Sequence, residues 1–449
     1  VVPEVVAVNT DTIFVLATFA IVLIVIVFDW IDMTLAAMVG VSALGLKGII
    51  AEDQIGHAIN QGGGALALVF GCMIVARTLV PTGIFNFVAD QFFILTRGSG
   101  RRFLLGLVLM VAPLCAVLPN ATVVILLAPV VIRTSQLLEV DFVPPLILTA
   151  VVSNAAGLLT LVGDPATFIV GSSINLSFSA YMAKVSLAGV IAIGVVVPLL
   201  PILFRPIWRA RRGIAADKVI SPITNPIFVV LALTVVGIMV VLFIYGEDLP
   251  HPVGPPGAAI LCASLALLVL RGARVEPVSA VFNDVDWKAL LFIFCMFLMV
   301  EGMLKTGILN HLSVIMGDVF GDRPLLVAMT LLVVVAVASS MVANIPVVVA
   351  MVLIVKGYFV YIGSVPEEAL GPIFTAWPAA ALPVFIAMMF GATLGGNATV
   401  IGSSANVVTA GISARRGAPI SFSRFLRYGL PITAAQLVVS AGYVVALAR

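Results

Sequence analysis

Asp164 stands in the tripeptide Gly163-Asp164-Pro165, inside the otherwise apolar stretch 144–176. A carboxylate at membrane depth can hold a cation or carry a proton, and such a residue is a functional candidate by default. Its plainer role would be to cap a helix starting at Pro165. Three more apolar stretches carry polar breaks. Pro119-Asn120, followed by Thr122, interrupts 103–135, and Asn344-Ile345-Pro346 interrupts 324–356. Gly395-Gly396-Asn397, followed by Thr399, Ser403, Ser404 and Asn406, interrupts 371–412. Small polar side chains and freed carbonyls suit a hard cation such as sodium. Freed amides at the start of a half-helix suit an anion. The candidate binding set is therefore Asn120, Thr122, Gly163, Asp164, Thr167, Asn344, Asn397, Thr399, Ser403, Ser404 and Asn406, with sodium near Asn120, Asp164, Asn344 and Asn397.

Three further charges lie in apolar sequence. Glu301 and Lys305 are four residues apart, the spacing of a structural ion pair on one helix face. Arg77 holds a roughly corresponding place in the first half of the chain. It could pair with Glu301 or face a translocation cleft, and the spacing does not choose. All three are candidate coupling or structural charges.

The elements that must position these residues are membrane spans. Of the 449 residues, 62% are hydrophobic and 10% charged, with a mean hydropathy of +1.24; a soluble domain is about 25% charged. A helix needs about 20 apolar residues to cross the hydrocarbon core. The sequence predicts spans at 12–28, 34–50, 64–80, 184–204, 226–244, 257–270, 288–304 and 427–447. The first of these is too long for a signal peptide and lacks its basic flank. The four interrupted stretches are too long for single spans. A polar break at that depth is tolerated only where protein or a wet cavity satisfies its backbone. Segments 103–135 and 324–356 read as re-entrant hairpins, and 144–176 and 371–412 as discontinuous helices. With that arrangement one face collects 16 of the 23 lysines and arginines and should be cytoplasmic, leaving both termini outside.

The halves repeat. Asn120 corresponds to Asn344 at an offset of 224, and Thr160-Leu161-Val162-Gly163 to Thr399-Val400-Ile401-Gly402 at an offset of 239. The first hairpin opens from the basic face and the second from the other, so the repeats are inverted. The expected plan is an all-α polytopic membrane protein: N-terminal scaffold helices over 1–62, a first repeat over 63–204, a basic linker over 205–225 and a second repeat over 226–449. Inverted repeats with broken helices place solute and ion sites near the bilayer midplane.

Other function classes find no support in the residues. Basic residues are scattered, against nucleic-acid binding. The four cysteines and three histidines form no readable zinc or haem motif, and no Gly-x-x-x-x-Gly-Lys-Ser/Thr loop occurs. No Ser/His/Asp grouping suggests an enzyme, and the chain has no room for the soluble signalling domain of a sensor.

Around the breaks the chain resembles the ion transporter superfamily, in the branch of arsenite permeases, D-type sodium–proton antiporters and the melanosomal P protein. The likeness rests on PNATVVILLAP (119–129), GDP (163–165), GATLGGNATVIGSSANVVTAGI (391–412) and SFSRFLRYGLP (421–431). The dicarboxylate–sodium symporters are more distant relatives with the same plan. The resemblance implies a scaffold domain, a transport domain with two hairpins, a homodimer, elevator-type alternating access and, for some arsenite permeases, a separate ATPase subunit. Family antiporters carry Asp before the hairpin Asn, where this chain has Pro119 and Ala343. A carboxylate there would repel an anion. The expected function is secondary transport of a small anion, arsenite-like oxyanion or carboxylate across a plasma (inner) membrane, with sodium as candidate coupling ion. The alternative is a sodium–proton antiporter using Asp164.

Overall fold

The computed structural model describes residues 9–27, 30–116, 118–212, 225–342, 344–371 and 374–449. Ala343 and 213–224 of the expected linker lie outside them. The described chain is helical, with one isolated bridge between Ser99 and Arg211. It opens with α1 (Thr10–Val27), α2 (Met33–Leu46) and α3 (Glu52–Leu79). Asp32 caps α2 by accepting from Thr34 N at 2.9 Å, and Gln54 Oε1 accepts from Ala51 N at 3.0 Å at the start of α3. That cap explains why α3 runs 28 residues through polar sequence, beginning well before the expected span at 64–80 and crossing the expected boundary at residue 62.

The first half continues with α4 (Ile84–Thr96), α5 (Gly100–Cys115), α6 (Asn120–Leu137), α7 (Val143–Ala156), α8 (Pro165–Ser173), α9 (Phe178–Lys184), α10 (Ser186–Gly194), α11 (Val196–Leu203) and α12 (Arg205–Arg209). The second half has α13 (Pro226–Tyr245), α14 (Pro255–Ala273), α15 (Val278–Asn283), α16 (Trp287–Lys305), α17 (Ile308–Phe320), α18 (Pro324–Met341), α19 (Asn344–Tyr361), α20 (Ala381–Gly395), α21 (Ser404–Arg415) and α22 (Phe422–Leu447). Prolines open α8, α13, α14 and α18, where the missing amide costs nothing. Helix does not cover 371–412 as expected: 374–380 is non-helical and α20 begins only at Ala381, after Pro378. The expected linker begins with the short helix α12.

Among the described residues nine helices are long and apolar enough to cross a membrane. Helices α7, α8, α20 and α21, of 14, 9, 15 and 12 residues, are too short to cross alone. Every residue of α7 is buried, as is all of α20 except Leu382. A helix buried all round sits at the centre of its bundle, and these two half-length helices bring the chain to its two internal breaks. Outer helices turn large apolar side chains outward; Ile227 and Val230 on α13 are 73% and 63% exposed. Such surface suits lipid contact.

Candidate ion and solute site

Three chain breaks meet at one carboxylate. Asp164 is extended (φ −142°, ψ 135°) and caps α8, its Oδ1 accepting from Ala166 N at 2.8 Å. Asn344, first residue of α19, points Nδ2 at both carboxylate oxygens, 3.3 and 3.2 Å away. Asn120, first residue of α6, approaches from another side with Nδ2 3.4 Å from Oδ2. Thr167 donates to Asp164 O at 2.7 Å and fixes the turn from beneath. Asp164 and Asn120 are 4% and 8% exposed, and no basic side chain pairs with Asp164 among the described residues. The buried charge is held by amides and by the starts of three helices, whose free N–H groups carry partial positive charge. Asn120 Oδ1 is buried with no donor. An acceptor in that condition is a place for a cation or a ligand donor.

The backbone leaves room for this. A Cβ on Gly157, at the end of α7, would stand 3.0 Å from Asp164 Cβ and 3.4 Å from Asn120 Nδ2. Only a bare backbone lets the carboxylate and the amide share that space.

The second internal break forms a separate cluster. Ser403 caps α21 and donates from Oγ to Asn154 Oδ1 at 2.7 Å. Asn154 Nδ2 donates to Asn397 Oδ1 at 3.0 Å and Asn406 Oδ1 at 3.2 Å. Asn397 Nδ2 reaches Gln436 Oε1 at 2.9 Å, and Asn406 Nδ2 binds Gly396 O and Thr399 O at 2.8 and 2.7 Å. Asn397, Asn406 and Gln436 are 0% exposed. Their capacity is spent on α7, α21 and α22, so they brace the break in this conformation. Thr399 donates to Ser340 O at the end of α18, as Thr160 donates to Ala116 O at 2.7 Å just past the end of α5. Gly163 is buried beside Gly157. Thr122 is half-buried in the first turn of α6, and Ser404 is exposed at the start of α21. Neither joins these clusters by a hydrogen bond.

Asn154 and Gln436 escaped the sequence reading. Each is a lone amide in an apolar helix; in a membrane such a residue marks a helix-to-helix hydrogen bond.

The three charges are placed elsewhere. Arg77 does not meet Glu301. Its Nη1 and Nη2 clasp Glu276 at 2.8 and 3.1 Å, and Nε binds Asp284 Oδ2 at 2.6 Å. The planar guanidinium fork suits that carboxylate pair, which pins the end of α3 to the two ends of α15. Glu301 does not pair with Lys305 either. Lys305 Nζ donates to Ile49 O at 2.9 Å and Gln54 Oε1 at 3.3 Å, tying α16 to the turn before α3. Glu301, 6% exposed, leaves Oε1 without a partner.

Two cavities flank the junction. One, of about 590 Å³, is lined by Ile125, Ala128, Pro129 and Ile132 of α6 and Val407, Val408, Gly411 and Ile412 of α21, with Arg415 and Arg416 at its end. The other, of about 200 Å³, is lined by Val349, Val352, Leu353 and Lys356 of α19 and Phe168, Ile169, Ser172 and Ser173 of α8. The α6 and α19 positions differ by 224 in every case, and the α8 and α21 positions by 239. Only the smaller cavity is also walled by α3 and α16, through Asn60, Gln61, Gly64, Ala65 and Phe297.

Comparison with known proteins gives these features a family. The family model described as CitMHS, citrate transporter, matches residues 23–370. An uncharacterized transporter of Synechocystis is 44% identical over 437 residues, covering 97% of each chain. The human P protein is 27% identical over 517 residues, covering 97% of this chain and 60% of its own. Among solved structures, the YdaH transporter of Alcanivorax borkumensis, described as having an unusual topology, superposes with a TM-score of 0.57 at 13% identity over 87% of this chain and 86% of that one. This likeness concerns the fold. A chain matched by that model over most of its length, with relatives that are transporters and not enzymes, is an integral membrane transporter of the CitMHS citrate transporter family.

Proposed function

We propose that this chain is a secondary-active transporter of a small carboxylate or oxyanion, coupled to sodium and working by elevator-type alternating access. The observation that carries the reading is the meeting of Asn120, Asp164 and Asn344 at the first turns of α6, α8 and α19. The helix starts and amide N–H groups favour negative charge there. Asp164 already supplies one negative charge, and an anionic cargo beside it would be repelled. Sodium removes that conflict. The Asp164 oxygens and the orphan Asn120 Oδ1 form a hard oxygen set of the kind sodium takes. With the carboxylate neutralised, the same helix starts accept the cargo. The cation becomes a condition for the anion, which is the root of coupling.

Alternation is supported by the paired features. Gly83 and Gly307, 224 apart, both turn the chain with φ of 72° and 73°. Asp164 and Ser403, 239 apart, cap equivalent half-helices. The cavities repeat position by position. The packing is not symmetric: α3 packs on α8 and α16 on α19, while α3 on α6 and α16 on α21 form no comparable interface among the described residues. Two inverted repeats related this way have a second packing available, in which α6 and α21 meet the scaffold and the α8–α19 cavity opens.

A sodium–proton exchange reading is favoured by one observation, that Asp164 has no basic partner among the described residues. Proteoliposomes separate the two. Labelled citrate, succinate and arsenite uptake is measured with and without a sodium gradient, beside internal pH. Sodium-dependent uptake of one anion is expected; sodium-driven pH change with no anion flux would replace this reading with exchange.

A further inference from the structure

Lys356 is 3% exposed and lines the smaller cavity. Its Nζ donates to Gly371 O at 3.0 Å and lies 5.8 Å from the centre of the Trp377 ring. No carboxylate pairs with it among the described residues. An ammonium has three donors and a high cost of burial. One carbonyl and one ring face meet only part of that. Beside it, Trp377 Nε1 is a second buried donor with no acceptor. Arg77, better exposed than Lys356, has two carboxylates.

Packing of the two helices does not require these groups. The position matching Lys356 is Ile132, and those matching Ser172 and Ser173 are Gly411 and Ile412, all lining the larger cavity. At these three positions the helix pair is apolar in one half and carries a cation and two hydroxyls in the other; the larger cavity has its own cations, Arg415 and Arg416, at its end, where the matching residues are Leu176 and Ser177. Across from Lys356 and the two serines α3 presents the amides of Asn60 and Gln61.

We propose that the Lys356 cavity is a second anion site, taking a small carboxylate or oxyanion at the Lys356 ammonium, with the Ser172 and Ser173 hydroxyls, which now donate to Ile169 O and Val170 O, turning toward it. This rests on the anion-transport reading. The helices α8 and α19 start at Asp164 and Asn344 and end beside this cavity, so nine residues of α8 span the roughly 14 Å between the two sites. The cavity is a holding point on one side of the central junction. It captures the anion from the membrane face on that side and is walled off by α3 and α16 in the present packing.

Sided kinetics test the assignment. Uptake into intact cells reads one face and uptake into everted vesicles the other. With citrate as probe, Lys356→Met should raise the half-saturating concentration about tenfold from the face nearest Lys356, the loss expected of one charge-assisted hydrogen bond. The opposite face should stay within about twofold, and Lys356→Arg should restore the first. Ser172→Ala/Ser173→Ala removes two hydroxyls from the cavity lining; it should weaken the same face, and it decides the matter if Lys356→Met does not fold. Equal changes from both faces, or none, would overturn the site and leave Lys356 as a tie to Gly371. Where citrate is not moved at all, the transport reading fails separately. Stabilisation of the purified Asn120→Ala/Asn344→Ala protein by citrate and by sulfate then decides. A Lys356-dependent shift upholds the cavity as an anion site, and its absence removes it.

Discussion

Asp164 and Asn344 are 180 residues apart, and the Asn344 amide nitrogen stands 3.2 and 3.3 Å from the two carboxylate oxygens. The contact joins the first turn of α8 to the first turn of α19, so a helix break from one half of the chain is read by a helix start from the other. Loss of the charge should therefore disturb function more than shape. Asp164→Asn keeps the outline of the cap but turns an N–H toward Asn344 Nδ2 in place of an acceptor. The expected result is a fall of at least about tenfold in sodium-dependent uptake, equivalent to one charge-assisted hydrogen bond, from protein that purifies as wild type. Unchanged uptake and sodium dependence in this variant would remove Asp164 from the coupling scheme.

Gly157 tests the geometry without touching a polar group. An alanine methyl there meets Asp164 Cβ at 3.0 Å and Asn120 Nδ2 at 3.4 Å. Overpacking of that kind costs about 1–3 kcal/mol and moves the softer partner. Here the softer partners are the proposed binding groups. Gly157→Ala should raise the half-saturating concentrations of cargo and sodium while the unfolding midpoint falls modestly. Gly194→Ala is the control, since its added methyl meets nothing within 4 Å.

The two amide clusters should separate by readout. Asn154 serves Asn397, Asn406 and Ser403 at 1% exposure. Its removal strands buried polar atoms on three side chains, at about 1–3 kcal/mol for each unsatisfied group. Asn154→Ala should appear mainly as a large drop in the thermal midpoint of the detergent-solubilised protein. Asn120 already has an idle oxygen, so Asn120→Ala should cost less stability and more transport. A reversed order would make Asn120 the brace and Asn154 the ligand.

The breaks were legible because polar residues interrupt apolar runs, and Asn120, Asp164 and Asn344 do converge. Sequence could not tell a ligand from a brace. Asn397 and Asn406 look like Asn120 in the chain, and only their partners on α7 and α22 show that their bonds are spent. Arg77 stayed open between Glu301 and a cleft for a related reason: its carboxylates, Glu276 and Asp284, flank α15 about two hundred residues away. The start of α3 was missed because local polarity ends an apolar window, whereas the helix continues on its cap. The repeat offsets were readable, but that they govern two cavities needed coordinates.

Asp32 ties the start of α2 to α16. Its Oδ2 accepts from Lys288 Nζ at 2.9 Å, and its Oδ1 caps Thr34 N. The Lys288 hydrogen bond, with help from the capping amides, holds its carboxyl below the usual carboxylate range, against an effect of burial that outweighs either amide alone. A carboxylate lowered on folding contributes stability fully above its unfolded value, and loses it as pH falls through the folded value. Asp32→Ala should lower stability at neutral pH by about 1 kcal/mol, the usual worth of a cap. The difference from wild type should shrink as melts are taken below about pH 4. A gap that does not depend on pH would leave packing, not charge, as the cause.

The repeat offsets make the last prediction, about a packing that this conformation does not have. A Cβ on Gly64 of α3 would lie 3.7 Å from the Phe168 ring of α8. Shifted by 224 and 239, the same pair becomes Lys288 of α16 and Val407 of α21, on the larger cavity. At present Lys288 is bound to Asp32, and α16 and α21 share no comparable interface. If the halves exchange packings, the two pairs close in turn. In a background with Cys72, Cys115, Cys262 and Cys295 replaced, a short bifunctional thiol reagent should join Gly64→Cys to Phe168→Cys, whose β-carbons stand about a phenyl ring apart, and hold the protein with the α8–α19 cavity covered. The same reagent should join Lys288→Cys to Val407→Cys only in the opposite state, and sodium with cargo should shift the two yields in opposite directions. Steady transport with the first pair joined, or a second pair that is never joined during turnover, would mean that cargo crosses by some motion other than exchange of these two packings.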